Sequence, residues 1–164
     1  MPEALPRSMF CATALLGAMA VTIAGQQRPV PAVFTSQQAD AGRTAYENSC
    51  GRCHTVTLGG RQGNAGELPP LESLPAPFLK FIGPAKRVPP LMGSGFVAKY
   101  RQKTTADLFT LFRGAADTTP VADLHMSDDT LVNITAYILR MNGAKSGDQA
   151  LAKDTAATFA STVE

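Results

Sequence analysis

The sequence predicts an all-α domain in which short amphipathic helices are joined by long loops rich in proline and glycine. Twelve prolines and fourteen glycines among 164 residues indicate many turns. Two capped amphipathic segments lie near residues 35–49 and 127–143. The chain has eight phenylalanines, three tyrosines and no tryptophan, so its own side chains supply few large apolar groups for a core. We therefore expect a bound apolar group to complete that core.

The first 25 residues are typical of an export signal. Arg7 supplies a positive start, an apolar run occupies residues 9–23, and small residues follow it. Because the run is short for a transmembrane helix, we expect a cleaved signal, with an uncleaved N-terminal membrane anchor as the alternative. Cys11 lies in this segment as an ordinary apolar residue. Export predicts a periplasmic protein, with a membrane association only if the segment is retained.

An extended linker is expected at residues 26–34, because two prolines oppose a helix there. The first helix should begin near Thr35, which has capping-box spacing to Gln38. It includes Gly42, which costs about 1 kcal/mol relative to alanine inside a helix. We interpret this glycine as a point where another helix approaches closely. The helix leads directly into Cys50.

The central motif is Cys50-Gly51-Arg52-Cys53-His54, a Cys-x-x-Cys-His run typical of c-type haem attachment. Two thiols separated by two residues can each add to one vinyl group of the same porphyrin. The next residue, His54, then faces the iron, for which histidine is a common proximal ligand. We expect one covalent haem c held by Cys50 and Cys53, with His54 bound to the iron.

Two other interpretations of the motif find less support. A closed zinc site takes four ligands, but the chain has no second cysteine pair and only one further histidine, His125. A thioredoxin-like dithiol belongs in a β-α-β context, which the flanking pattern does not provide. Without the export segment, Cys50 and Cys53 are the only thiols, as suits an oxidising compartment. The net charge of +2 disfavours a nucleic-acid partner.

After the motif, residues 55–90 are dominated by glycine, proline and short apolar pieces. One such piece, residues 78–82, should either line the edge of the haem or fill a loop core. A short helix is expected at residues 94–100.

The second half of the chain carries two stronger helix signals. Thr104 or Thr105 should cap a helix that ends at Gly114. Ser127 should cap a last amphipathic helix that ends at Asn142-Gly143. The final residues, 144–164, are small and polar, and we expect a tail that is partly helical near residues 150–159.

This order of elements resembles class I cytochrome c, because a capped helix runs into the haem motif and an amphipathic helix follows the loops. A narrower resemblance, to single-haem cytochrome c domains associated with quinoprotein alcohol dehydrogenases, rests on several segments. They are Pro89-Pro90-Leu91, Phe96-Val97-Ala98-Lys99-Tyr100, Asp107-Leu108-Phe109, Ser127-Asp128-Asp129 and Ala136-Tyr137-Ile138-Leu139-Arg140-Met141-Asn142-Gly143. The resemblance covers residues 35–143, which we take as the cytochrome c domain, and departs from the family by a long insert at about 61–88.

The resemblance implies a class I cytochrome c fold in which the first and last helices cross at right angles, with Gly42 under Tyr137. It also implies that a carbonyl of Pro89-Pro90 accepts the Nδ1–H of His54. Pro90 is therefore included among the cofactor-binding residues.

The sixth iron ligand is less clearly indicated. Members of the family carry an axial methionine, usually as Met-Pro, where this chain has Thr118-Thr119-Pro120. Met126 is the nearest methionine and the leading candidate for the sixth ligand. His125 and Met92 are alternatives, and so is an open or water-bound position.

The leading functional hypothesis is a non-enzymatic electron carrier of a respiratory chain. By resemblance, its donor would be a quinoprotein dehydrogenase and its acceptor a terminal oxidase or another cytochrome. A five-coordinate haem would instead bind small ligands, as a sensor or peroxidase, and a haem-free structural module is a third alternative. Several cations are expected either to ring the haem edge or to form solvated surface: Lys80, Lys86, Arg87, Lys99, Arg101 and Lys103.

Overall fold

A computed structural model describes Met1 and residues 30–62, 70–84, 86–118 and 121–163. These residues are mostly helical with little strand, which confirms the all-α expectation. The export segment expected at residues 1–25 lies, beyond Met1, outside the described residues. Within the described ranges, no helix has both the length and the apolar character needed to cross a membrane.

The elements follow one another along the described chain with short strands and turns between helices. Two 3-10 turns lie at Leu71–Ser73 and Ala122–Leu124. Strands β1 (Arg61–Gln62) and β2 (Arg87–Val88) pair antiparallel. The helices are α1 (Ser36–Asn48), α2 (Gly51–His54), α3 (Ala76–Leu79), α4 (Ser94–Tyr100), α5 (Thr105–Thr118), α6 (Asp128–Met141) and α7 (Phe159–Thr162).

The helix starts confirm the capping signals. At α1, the Thr35 hydroxyl accepts the Gln38 N–H at 3.2 Å, and the Gln38 side chain accepts the Thr35 N–H at 3.2 Å. This is a complete capping box. The Ser127 hydroxyl accepts the Thr130 N–H at 3.1 Å and so caps α6. Local side-chain chemistry therefore sets both starts.

Helices α1 and α6 form the main contact of the fold, and Gly42 is where they come closest. A Cβ placed on Gly42 would lie 1.8 Å from the carbonyl oxygen of Asn133, so only glycine fits. The expected close approach is confirmed, but its partner is the backbone of Asn133 and Ile134 and not Tyr137. Tyr137 instead packs against Tyr46, with ring centroids 5.4 Å apart, because it lies one turn further along α6.

Helix α5 corrects the expected stop at Gly114. The helix continues to Thr118, whose hydroxyl donates to the Gly114 carbonyl at 2.7 Å. A glycine ends a helix when it adopts positive φ, and Gly114 keeps a helical φ. Ala116, two residues before the end, is buried against the core, and that burial extends the helix.

The segment after α6 is not the loose tail expected for residues 144–164. Residues 144–163 lie along the core and bury Leu151, Phe159 and Val163. Phe159 meets Phe96 edge-on, with ring centroids 5.9 Å apart. Backbone hydrogen bonds tie the segment to the start of α5, including Phe159 N–H to the Lys103 carbonyl at 2.7 Å. Its short helix is α7, later than the expected 150–159.

The insert forms a small second core of its own beside the motif. Leu71, Leu74 and Val88 are buried there. Cys53, Phe78 and Ile82 pack against them. The insert thus lies directly against α2.

Candidate functional site

A cavity of about 390 Å³ lies beside α2, within the size range of small-molecule sites. Cys50, Cys53 and His54 form part of its wall. Apolar side chains form most of the rest, and they come from the insert, α5, α6 and the loops beside them: Phe78, Phe81, Ile82, Val88, Leu91, Leu111, Phe112, Ala115, Ala116, Val121, Ile134 and Ile138. Phe78, Phe81 and Ile82 belong to the apolar piece at residues 78–82 and line this wall. Phe78 and Ile82 also pack on the small second core of the insert. The fold therefore brings the motif to an apolar space.

Helix α2 places the three motif side chains on one wall. It is a single turn closed by hydrogen bonds from the Cys53 and His54 N–H groups to the Cys50 carbonyl, at 3.1 and 2.9 Å. The fully buried Tyr46 of α1 donates its hydroxyl to the Thr55 carbonyl at 2.8 Å. A Cβ on Gly51 would lie 3.2 Å from the Tyr46 carbonyl oxygen. Packing on α1 therefore holds the turn in place.

The His54 ring is oriented by a backbone carbonyl. Its Nδ1 lies 2.8 Å from the carbonyl oxygen of Pro89, and since a carbonyl only accepts, Nδ1–H is the donor. Nε2 then carries the free lone pair in the neutral ring. Burial lowers the pKa of His54, with the hydrogen bond to Pro89 opposing it. The ring is thus presented in the neutral form that binds metal ions.

The acceptor carbonyl belongs to Pro89, so Pro90 is not the residue that meets His54. Pro90 is also absent from the cavity lining found among the described residues. The Pro89 loop is held by the Leu91 N–H, which donates to the Leu58 carbonyl at 2.8 Å. Gly60 lets this loop approach, because a Cβ there would lie 2.2 Å from the Val88 carbonyl oxygen and its φ is +77°.

Burial acts in the same direction on the pKa of both cysteines, but a different neighbour opposes it at each. Both are free thiols on the cavity wall. Burial raises the pKa of Cys50, which the Ser49 hydroxyl, 3.6 Å from its sulfur, opposes. Burial also raises the pKa of Cys53, and the guanidinium of Arg61 opposes that rise. Both sulfurs are therefore favoured as neutral thiols.

Arg61 is a site residue that sequence reasoning missed. Its guanidinium donates to the carbonyls of Cys53 and Arg52, both at 3.1 Å, and to the Ser73 hydroxyl at 2.6 Å. It therefore joins α2 to the 3-10 turn of the insert. No spacing rule marks this arginine, because its partners are backbone carbonyls and a serine twelve residues away.

The structure does not bring the candidate sixth ligands to the cavity. Met126 packs on the main core, and the exposed His125 lies just before it. Met92 lines a separate groove together with Met141. Thr118 is exposed, and the next two residues of the expected Met-Pro position lie outside the described residues.

The mouth of the cavity combines exposed apolar side chains with positive charge. Phe81 and Leu111 line the cavity and are 44% and 41% exposed. Lys80 Nζ lies 5.0 Å from the Phe81 ring centroid. Of the six cations considered above, Arg87 lines the cavity.

Comparison of the chain with protein-family models, with curated proteins and with solved structures found no match. In the part of the chain that the structure describes, no three His, Cys, Asp or Glu side chains converge as a metal cluster. The cavity therefore offers two thiols, one neutral imidazole and apolar walls.

Proposed function

We propose that this chain is a single-haem c-type cytochrome that carries one electron at a time between redox partners. Cys50 and Cys53 would hold the haem covalently, and His54 would bind its iron. The observation that carries the proposal is the convergence of both thiols and the oriented imidazole on one apolar cavity. A porphyrin is a large and mostly apolar ring, and the apolar character of most of the lining supports its binding here.

The two cysteines would each form a thioether. The sulfur bonds to one vinyl carbon while the thiol hydrogen goes to the neighbouring carbon of the same double bond. The addition has no leaving group and needs no oxidant, but both thiols must be reduced. Cys50 and Cys53 are free and face the same cavity, which supports this chemistry.

The finer fold assignment, class I cytochrome c, is also a proposal. It is supported by the close approach of α1 and α6 at Gly42, and by the placement of the motif turn directly after α1. The Pro89 carbonyl supports it too, because its hydrogen bond would fix the His54 ring and strengthen Nε2 as a donor.

Haem, when bound, supplies one-electron exchange between ferric and ferrous iron. The chain would shield it with α5 and α6 and leave an opening at Phe81 and Leu111 for a partner. A small, partly apolar contact suits short-lived redox encounters. We propose export to the periplasm, with a quinoprotein dehydrogenase as donor and a terminal oxidase or another cytochrome as acceptor; this partner assignment rests on the family resemblance.

The test is covalent haem content. The full chain is produced in a host that matures cytochromes c, and its mass and haem absorbance are measured after denaturation. We expect one covalent haem, one remaining vinyl group in Cys50→Ser or Cys53→Ser, and no covalent haem in the double variant. Cys11→Ser is the matched control and should keep the haem. A wild-type chain without covalent haem from a competent host would refute the proposal.

A further inference from the structure

We infer that no side chain of this protein occupies the sixth position of the iron, and that the cavity admits a small neutral diatomic ligand there. This inference rests on the proposed haem attachment. It competes with the expectation that Met126 is the sixth ligand.

Three methionines follow the export segment: Met92, Met126 and Met141. None belongs to the cavity lining found among the described residues. The internal stretches outside the described residues, 63–69, 85 and 119–120, contain neither methionine nor histidine. No thioether or second imidazole of the domain therefore lines the cavity.

Met126 packs on the main core and is not among the described residues that line the cavity. The Arg113 guanidinium donates to the Met126 carbonyl at 2.7 Å and pairs with Asp128 in the first turn of α6. Met126 also directly precedes the Ser127 cap. These contacts fix the backbone at Met126, and the packing of its side chain on the core separates it from the cavity wall.

Met92 lines a separate groove together with Met141 and is not among the described residues that line the cavity. The Asn142 side chain accepts the Gly93 N–H at 3.1 Å and donates to the Leu91 carbonyl at 3.0 Å. These bonds fix the backbone on both sides of Met92.

Apart from the motif, the polar side chains on the described wall are Ser49, Arg87 and Tyr100. Ser49 already donates to the Ala45 carbonyl at 2.6 Å. The guanidinium of Arg87 is a donor only and has no lone pair to offer an iron. Tyrosine does ligate iron in catalase, so Tyr100 is the side chain that the experiment must exclude.

The side chains that line the cavity also indicate which class of ligand it would admit. Apart from His54, no histidine, aspartate or glutamate of the described residues lines the cavity. The walls from α5 and α6 are apolar, including Phe112, Ile134 and Ile138. Distal polarity and access decide what a haem binds, and an apolar wall favours a neutral diatomic molecule over peroxide turnover.

The test uses the full-length holo-protein and carbon monoxide as the probe. We expect a high-spin ferrous spectrum and a saturable Soret shift on titration with carbon monoxide. Met126→Leu, Met92→Leu and His125→Ala should reproduce the wild-type spectra, as should the matched control Met141→Leu. A low-spin ferrous spectrum with no carbon monoxide uptake would overturn the inference, and a gain of uptake in one variant would identify the ligand.

Two further measurements complete the test. Tyr100→Phe should keep the wild-type ferric spectrum, whereas a spectral change with faster carbon monoxide uptake would make Tyr100 the ligand and contradict the inference. Peroxide-dependent dye oxidation well above that of free haem would contradict the ligand class. The mass measurement separates the two proposals, because a chain without covalent haem fails the proposed function, while a haem-bearing chain that ignores carbon monoxide fails this inference alone.

Discussion

The contact between α1 and α6 is closely packed by buried side chains, whereas the wall that the insert forms at the cavity has few buried side chains. On the first side, Gly42 lies against the Asn133 backbone, and Tyr46 and Ile134 are almost wholly buried. On the second side, the described residues of the insert form a small buried cluster of Leu71, Leu74 and Val88. Side chains alone therefore fill the core between α1 and α6. A group bound in the cavity would add most of its buried contacts on the insert side.

Loss of the proposed haem should have the largest effect, and this effect should differ between the two regions. We expect the Cys50→Ser, Cys53→Ser double variant to lose amide protection across residues 71–88, because few buried contacts hold that wall. Amides of α1 and α6 should stay protected. Hydrogen exchange followed by mass spectrometry compares the double variant with the holo-protein. Equal protection of both regions in the double variant would contradict the comparison.

Gly42→Ala should destabilise the contact between α1 and α6. Its Cβ would meet the Asn133 carbonyl oxygen at 1.8 Å, which requires the helices to separate. We expect a loss of more than about 3 kcal/mol in the free energy of unfolding, at the upper end for overpacking. Urea unfolding measures it.

Gly114→Ala is the matched control for Gly42→Ala. Gly114 is exposed inside α5, and a Cβ there meets no atom within 4 Å. This change should stabilise the protein by up to about 1 kcal/mol, since alanine favours the helix. A similar loss in both variants would show that Gly42 has no special packing role.

Arg61→Ala tests the link between the motif turn and the insert. It removes hydrogen bonds to the Cys53 and Arg52 carbonyls and to Ser73. Because the site is only partly buried, we expect a loss of about 1–2 kcal/mol in the free energy of unfolding. Arg52→Ala, with an exposed side chain, should change it by less than about 0.5 kcal/mol. Equal urea midpoints for the two variants would argue against the link.

The smallest effect concerns Asp128 on the α5–α6 side. Lys153 and then Arg113 hold the pKa of Asp128 below its ordinary value of 3.8. A depressed carboxyl pKa stabilises the fold above the ordinary value, and this contribution disappears as the pH falls through the folded pKa.

Asp128→Asn should therefore lower the melting temperature slightly at neutral pH. The difference from wild type should shrink in acid below pH 3.8 and in high salt, because the group is exposed. Asp129→Asn in the same helix turn is the control. A difference that persists in acid would show that the ion pairs are not its cause.

Much of the helical outline could be predicted because its causes are local. The caps at Thr35, Thr104 and Ser127 act within three residues, so sequence spacing exposes them. The stop at Gly114 was wrong because burial of Ala116 outweighs the local preference of glycine. The packing of residues 144–163 was missed because a few apolar residues in an extended segment leave no periodic signal.

In the candidate site, too, some features have local causes and others depend on contacts between distant segments. The motif spacing and a close approach at Gly42 could be predicted from the chain alone, because they depend on neighbouring residues and on a missing side chain. Packing between distant segments decides that Pro89 and not Pro90 accepts from His54, that Arg61 braces the motif turn, and that Met126 lies off the cavity. These depend on contacts between distant segments, whose geometry is set by how α1, α6 and the insert pack together.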